Sequence, residues 1–251
     1  MIYYYVKSSP LSGWRLTKFS VTGQLAEGLE LDIAALVNYS MVVFTRTTAA
    51  GRDVSMLEID RTNRTSTQTV VASGSVFSGQ LATHWVRPIS FRFSPYSFTA
   101  WLGYAQADPF NNPQAGVAVD EGSFSQPFLW APKTNFSGAW GSSVSYRHLS
   151  GFNVATVEGQ GGLFFGGRDL YLYESPNGTV GTPVLLDTGP LFNYPSITRQ
   201  DIYGNFYVAV GAMTNPFLGI GEIRLYNSQG SYVLLEPSGG YFKEIDCDLR
   251  Y

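Results

Sequence analysis

Cysteine, histidine and charged residues are scarce in this chain of 251 residues. It contains one cysteine, Cys247, and two histidines, His84 and His148. A single cysteine excludes an intrachain disulfide and a thiolate metal cluster, and two histidines leave little for a zinc site. Only 14% of the residues are charged, and the net charge of −3 creates no field that would attract nucleic acid or an anionic membrane. We therefore expect no nucleic-acid partner.

Long apolar runs and cofactor motifs are also missing. No stretch of about 18 apolar residues occurs, and the first residues, MIYYYVKSSPLSGW, lack the basic and apolar regions of a secretory signal. The glycine-rich segment 159–167 lacks the lysine of a phosphate-binding loop. The sequence thus predicts a soluble chain without membrane insertion, export signal or cofactor, and leaves the location open between extracellular and virion settings.

Strand-forming residues dominate what is present. The chain is 44% hydrophobic and 15% aromatic, with 27 glycines that punctuate short runs of β-branched and aromatic residues. Such runs bounded by Gly, Pro and Ser are typical of strands. The clearest unit is Tyr194–Glu236, which holds four such runs, and weaker copies of this pattern recur along the chain. The predicted strands in these copies include the runs 25–32, 126–131, 152–159 and 168–174. The composition therefore indicates an all-β protein.

The recurring sets suggest a ring of sheets. Taking the third run of each set, the centres lie 40, 60, 54 and 53 residues apart, at Phe19, Ile59, Val119, Tyr173 and Tyr226. This spacing resembles that of β-propellers, whose blades repeat every 40–50 residues or so.

The resemblance implies five four-stranded antiparallel blades in one domain. The first set has only three runs, and a surplus run, YFKEIDCDLRY, ends the chain. The C-terminal strand would therefore complete the N-terminal blade and close the ring. The predicted blades are 241–251 with 1–32, 33–87, 88–141, 142–193 and 194–240. No family signature accompanies this pattern, and a β-sandwich or jelly roll is the alternative fold.

One face of the predicted ring collects large apolar residues. Loops between the second and third strands emerge there with the links between blades, and exposed apolar clusters mark binding surfaces. The predicted binding residues on this face are Phe110, Phe164, Phe165, Phe217, Leu218, Trp85 and Trp140. The alternative is that these side chains cover the core as lids.

The predicted channel carries arginines and acids. Arg92 and Arg147 fall in equivalent positions of two inner strands, while the closing strand places Glu244, Asp246 and Asp248 on one side. These groups suit a polar ligand, with the three acids as weak candidates for a metal site. The alternative is a salt-linked, water-filled channel that holds the closing strand.

The preferred functional hypothesis is a non-catalytic recognition module. It resembles lectin propellers and would bind a glycan or another surface through its aromatic-rich loop face. The first alternative is a virion or surface-appendage protein that docks through that face, with a protein partner or self-assembly into a homo-oligomer or larger assembly. The second is a propeller-type glycoside hydrolase, which needs two carboxylates across the scissile bond. No catalytic residue is predicted, because the inner strands carry only Asp32 and the C-terminal acids.

Overall fold

The computed structural model describes residues 2–6, 15–21, 24–25, 31–35, 39–48, 51–72, 85–94, 99–107, 113–120, 130–147, 151–159, 168–188, 191–192, 195–215, 218 and 220–240. Within these ranges every regular element is a β-strand, and every strand pair is antiparallel. No helix that could cross a membrane is found among the described residues. The predicted all-β class is confirmed.

The described strands form five sheets that follow one another along the chain. The first sheet contains β1 (Ile2–Val6) and β2 (Arg15–Phe19). The second contains β3 (Gln24–Leu25), β4 (Leu31–Ala35), β5 (Tyr39–Thr48), β6 (Gly51–Asp60) and β7 (Thr65–Ala72). The third contains β8 (Trp85–Ser94), β9 (Thr99–Ala107), β10 (Pro113–Asp120) and β11 (Trp130–Ser137).

The last two sheets repeat the same meander. The fourth contains β12 (Ala139–Tyr146), β13 (Phe152–Glu158), β14 (Asp169–Ser175) and β15 (Val184–Asp187). The fifth contains β16 (Leu191–Phe192), β17 (Ser196–Ile197), β18 (Tyr207–Asn215), β19 (Ile220–Asn227) and β20 (Tyr232–Gly240). In the fifth sheet β16 and β17 share one edge of β18, as β3 and β4 share one edge of β5 in the second.

One predicted strand belongs to a different sheet. Residues 25–32 were expected to be the third strand of the first blade, but β3 and β4 pair with β5 instead. Leu31–Ala35 lies opposite Ser40–Phe44, which is a buried segment whose backbone groups need partners along that edge. The first sheet therefore has two strands among the described residues. The predicted closing strand, 241–251, lies outside them.

The core lies between consecutive sheets. Phe91, Leu102 and Tyr104 of the third sheet pack with residues of the second. The other face of the third sheet packs on the fourth, and the fourth in turn packs on the fifth. Residues 152–157 of β13 are buried on both faces. This explains why the segment FNVATV shows little of the apolar–polar alternation typical of a half-exposed strand.

A repeated serine joins the first strands of neighbouring sheets. Ser90, Ser143 and Ser196 are spaced 53 residues apart, and all three are buried. The Val144 N–H donates to Ser90 Oγ (2.8 Å), and the Ile197 N–H donates to Ser143 Oγ (3.1 Å). The same contact thus links the third sheet to the fourth and the fourth to the fifth.

The serine contacts show that one predicted alignment between two strands is wrong. Because Ser90 and Ser143 occupy equivalent positions, Arg92 corresponds to Ser145. The predicted equivalence of Arg92 with Arg147 is therefore wrong by two residues. The prediction rested on alternation within each strand, which does not fix how one strand aligns with the next.

Replacing Ser143 by alanine should lower the free energy of unfolding by about 1–3 kcal/mol, because the buried Ile197 N–H then loses its acceptor. Urea denaturation would measure the loss. Ser137→Ala is the matched control, since Ser137 is exposed at the end of β11, and its effect should stay within about 0.5 kcal/mol. Equal stabilities of the two variants would contradict a role for the serine contact.

Candidate active site

Two carboxylates face each other at one end of the fourth sheet. Glu158 is the last residue of β13, Asp169 is the first of β14, and the two are direct partners across the strands. Directly opposed residues place their Cβ atoms about 4.5–5.5 Å apart on the same face of a sheet. Both side chains are half-buried. The pair therefore lies where β13 ends and β14 begins.

Two hydroxyl groups orient Glu158. Tyr173 Oη donates to Glu158 Oε1 (2.7 Å), and Thr156 Oγ1 donates to the same oxygen (2.5 Å). Thr156 precedes Glu158 by two positions, and its cross-strand partner is Tyr171, two positions before Tyr173. Strand alternation therefore puts all of these side chains on one face. Glu158 is held in one orientation by two donors from its own sheet.

The pKa values of two neighbouring tyrosines respond to both carboxylates. Burial raises the pKa of Tyr171, and the charges of Asp169 and Glu158 raise it further. Burial also raises the pKa of Tyr173, strengthened by its hydrogen bond to Glu158. Both phenols therefore stay protonated at neutral pH beside the carboxylate pair, and the Tyr173 hydroxyl donates to Glu158.

An aromatic contact places the cluster between two sheets. Phe136, in β11 of the third sheet, packs against Tyr173 with ring centroids 4.8 Å apart. We name Glu158, Asp169, Thr156, Tyr171 and Tyr173 the carboxylate cluster. Two carboxylates with phenol donors can serve as a nucleophile and a general acid or base.

Sequence reasoning missed this pair because it searched only the first strand of each blade for carboxylates. A usable signal was present. The predicted strands 152–159 and 168–174 flank the glycine-rich segment directly, and antiparallel pairing across that segment brings Glu158 opposite Asp169. Pairing the two predicted strands residue by residue, starting at the glycine-rich segment, identifies Glu158 and Asp169 as cross-strand partners.

The predicted aromatic residues have different surroundings. The Arg168 guanidinium lies over the Trp140 ring, 4.1 Å from its centroid, and donates to the Phe192 carbonyl (3.3 Å). Trp140 is thus half-covered by its own chain, while Leu218 is 70% exposed. Only the backbone of Trp85 is described, within β8. Phe110, Phe164, Phe165 and Phe217 lie outside the described residues, so the loop face stays a prediction.

The two predicted channel arginines contact neighbours within their own sheets. Arg147 donates to Glu174 Oε2 (2.8 Å) and Asn153 Oδ1 (3.1 Å), at the end of the fourth sheet opposite to Glu158. Arg92 donates to the carbonyl of Phe91 (3.0 Å). The predicted acids Glu244, Asp246 and Asp248 lie outside the described residues. Within the described ranges no group of three metal-ligating residues occurs.

A second ionic group fastens the fourth sheet to the fifth. Arg224 in β19 binds Asp187 of β15 (2.7 Å) and Glu222, and the Tyr226 hydroxyl donates to Asp187. Burial and then the bond to Asp187 raise the pKa of Tyr226. The Arg224 guanidinium also lies over the Tyr232 ring, 5.0 Å from its centroid. This group therefore connects β15, the outer strand of the fourth sheet, with β19 of the fifth, and one guanidinium serves as counter-ion to two carboxylates.

Replacing Arg224 by methionine should lower the free energy of unfolding by about 2 kcal/mol, because two carboxylates with side chains only 22% and 18% exposed lose their counter-ion. Arg147→Met is the matched control. Its partner Glu174 is 46% exposed, so that loss should be about 1 kcal/mol or less. Thermal and urea unfolding of both variants measure the difference, and an equal or reversed order would contradict the structural role of Arg224.

The sequence matches no protein-family model and no curated protein, but solved structures share the fold. A thermostable family-43 glycoside hydrolase aligns with a TM-score of 0.52 and 12% identity over 86% of this chain and 75% of that protein. An endo-arabinase from Bacteroides thetaiotaomicron aligns with a TM-score of 0.52 and 13% identity over 87% of this chain and 84% of that one. A Hadza microbial sialidase gives a TM-score of 0.53 and 13% identity over 89% of this chain and 50% of that one.

These similarities correct the functional hypothesis drawn from the sequence. Identity this low shows the fold alone, and the fold that is shared is that of propeller glycoside hydrolases. The preferred reading as a non-catalytic, lectin-like module is contradicted, and the virion alternative finds no support among these structures. The chain is an all-β protein of antiparallel sheets with a propeller-like architecture.

Proposed function

We propose that this protein is a glycoside hydrolase in which Glu158 and Asp169 are the carboxylate pair. The observation that carries the proposal is the placement of the two carboxylates directly opposite each other, with Glu158 bound by two hydroxyls. Retaining glycosidases hold their two carboxyl groups about 5–5.5 Å apart. Cross-strand neighbours are compatible with that separation. The glycosidase names of the structural neighbours support the same reaction class.

The contacts suggest a role for each group. Glu158, fixed by Tyr173 and Thr156, would attack the anomeric carbon and form an ester with the sugar. Asp169 would give its proton to the leaving oxygen, and then take a proton from the water that hydrolyses the ester. Tyr171, protonated and close to both carboxylates, would donate to a sugar hydroxyl.

Turnover by the purified chain tests this function. Aryl glycosides of arabinose, xylose, galactose and sialic acid, together with linear arabinan, form the substrate panel, and NMR of the first product reports its anomeric configuration. We expect hydrolysis of at least one substrate with retention. Hydrolysis with inversion would contradict the Glu158–Asp169 assignment, because inverting enzymes separate the pair by roughly 6.5–9.5 Å. A folded protein that hydrolyses none of the panel would overturn the proposed activity.

We also infer that the ring has five sheets and closes through residues 241–251. The support is the serine repeat, because the contact made at Ser90 and again at Ser143 has its next equivalent in the sequence at Ser196, which is buried in the fifth sheet. Cys247 lies in the segment that would run beside β1, so single cysteines introduced at positions 2 to 6 test the closure. We expect alternate positions to form an intramolecular disulfide with Cys247 on oxidation. No disulfide from any of the five would contradict the closure.

A further inference from the structure

The connection between the third and fourth sheets runs along the carboxylate cluster. It consists of residues 136–139, which we name the sheet link: the end of β11, Gly138 and the first residue of β12. Ala139 is the cross-strand partner of Glu158. Gly138 has φ of +76°, and its carbonyl accepts a bond from the N–H of Gly159 (3.3 Å), the residue after Glu158. The sheet link is therefore tied to the strand end that carries Glu158.

Phe136, at the other end of the sheet link, also reaches the cluster. It is buried, and its ring packs against Tyr173 with an angle of 51° between the ring planes. A tilted aromatic pair has a preferred geometry in addition to the apolar area that it buries. Tyr173 in turn donates to Glu158 Oε1. A side chain of the third sheet thus contacts the residue that orients Glu158 in the fourth.

The ring of Tyr173 needs a neighbour to hold it in one orientation. Pairing with Val154 fixes its backbone, but the ring is half-buried and turns about two side-chain bonds. A turn about the first of these bonds moves the hydroxyl away from Glu158. The Phe136 ring, with its centroid 4.8 Å away, restricts this turn. Because the hydroxyl lies at the far end of the ring, a small change in the direction of the ring weakens the bond to Glu158.

We propose that Phe136 is a positioning residue of the candidate active site and that, from the neighbouring sheet, it holds the Tyr173 hydroxyl on Glu158. Its effect on turnover rests on the proposed function of Glu158. The reaction then depends on the contact between two sheets, although both carboxylates lie in one. Misplacing a catalytic group by about 1 Å can lower a rate about a hundredfold. Loss of the Phe136 ring should therefore slow turnover without removing any group that contacts the substrate.

Steady-state kinetics of Phe136→Leu test this role. Leucine keeps an apolar side chain in place but removes the ring, so we expect kcat to fall roughly tenfold while KM stays within about twofold of the wild type. Phe136→Tyr keeps the ring and should keep most of the kcat. Phe152→Leu is the matched control. Phe152 also makes an aromatic contact between these two sheets, with its ring centroid 4.7 Å from that of Trp101, but it lies at the opposite end of β13 from Glu158.

The control separates positioning from stability. Phe152 is fully buried, so Phe152→Leu should lower the urea midpoint at least as much as Phe136→Leu does. It should nevertheless leave kcat within about twofold of the wild type. A loss of kcat that follows the loss of stability in both variants would contradict the positioning role. An unchanged kcat in Phe136→Leu would contradict it as well.

The titration of Tyr173 gives a second readout that needs no substrate. Burial and the bond to Glu158 raise the pKa of Tyr173, so Phe136→Leu should lower this pKa towards its ordinary value, and Phe152→Leu should leave it unchanged. NMR of ring-labelled tyrosine follows the titration, and Tyr173→Phe assigns the signal. An unchanged pKa of Tyr173 in Phe136→Leu would overturn the inference, whether or not the wild-type protein is active. An inactive wild-type protein in which the pKa falls would reject the proposed hydrolase and confirm that Phe136 holds Tyr173 on Glu158.

Discussion

Replacing Gly103 by alanine should lower the free energy of unfolding by about 3 kcal/mol or more. Gly103 lies in β9, where the third sheet approaches β12 of the fourth. A Cβ at this position would lie 2.4 Å from the carbonyl oxygen of Ser142 and 2.8 Å from Ser90 Oγ. The Ser142 carbonyl belongs to the backbone of a buried strand, and Ser90 Oγ already accepts the bond from Val144. The Ser142 carbonyl cannot move aside without separating the two sheets, and a rotation of the Ser90 side chain would break its bond with the Val144 N–H.

Urea unfolding measures this effect, and Gly178→Ala is the matched control. Gly178 has φ of +76°, and no atom lies within 4 Å of the position that an added methyl group would take, so alanine there meets backbone strain alone. That strain costs about 1–2 kcal/mol. We expect the Gly103 variant to be the less stable of the two, or to be recovered only as insoluble protein. Gly103→Ala with stability within about 1 kcal/mol of the wild type would mean that the sheets are not held this closely.

Sequence patterns located strands best where turn residues enclose them. The predicted run 152–159 corresponds to β13, and 168–174 to β14, each to within one residue. The bounds of the outer strands were predicted less accurately, because half-exposed strands mix polar and apolar residues without a clear period. The run predicted to end at Ala131 corresponds to a strand that continues through Lys133 to Ser137.

The relation of one sheet to the next could not be predicted from alternation. Alternation assigns each side chain to a face of its strand, but pairing and packing between strands decide what that face meets. This is why residues 25–32 were assigned to the wrong sheet and Arg92 to the wrong equivalent. Trp140 shows the same limit, because its sequence position on a link between blades does not reveal that Arg168 covers its ring.

Replacing Glu158 by glutamine or Asp169 by asparagine should lower kcat/KM roughly 10²–10⁴-fold on any substrate that the wild-type protein hydrolyses. Each amide keeps the size of the side chain but removes the charge or the transferable proton on which the proposed mechanism depends. Since the two groups act in one reaction, the double variant should lose little more than the more impaired single variant. Steady-state kinetics of the three variants measure these losses.

Glu174→Gln is the matched control, because Glu174 also lies in β14 but pairs with Arg147 at the other end of the strand. Its kcat/KM should stay within about twofold of the wild type. Tyr173→Phe removes a donor to Glu158 and leaves the carboxylate in place, so it should reduce kcat more than it changes KM. Active wild-type protein with unimpaired Glu158 and Asp169 variants would place the reaction elsewhere on the propeller, whereas inactive wild-type protein would reject the hydrolase itself. The two failures are thus distinguishable.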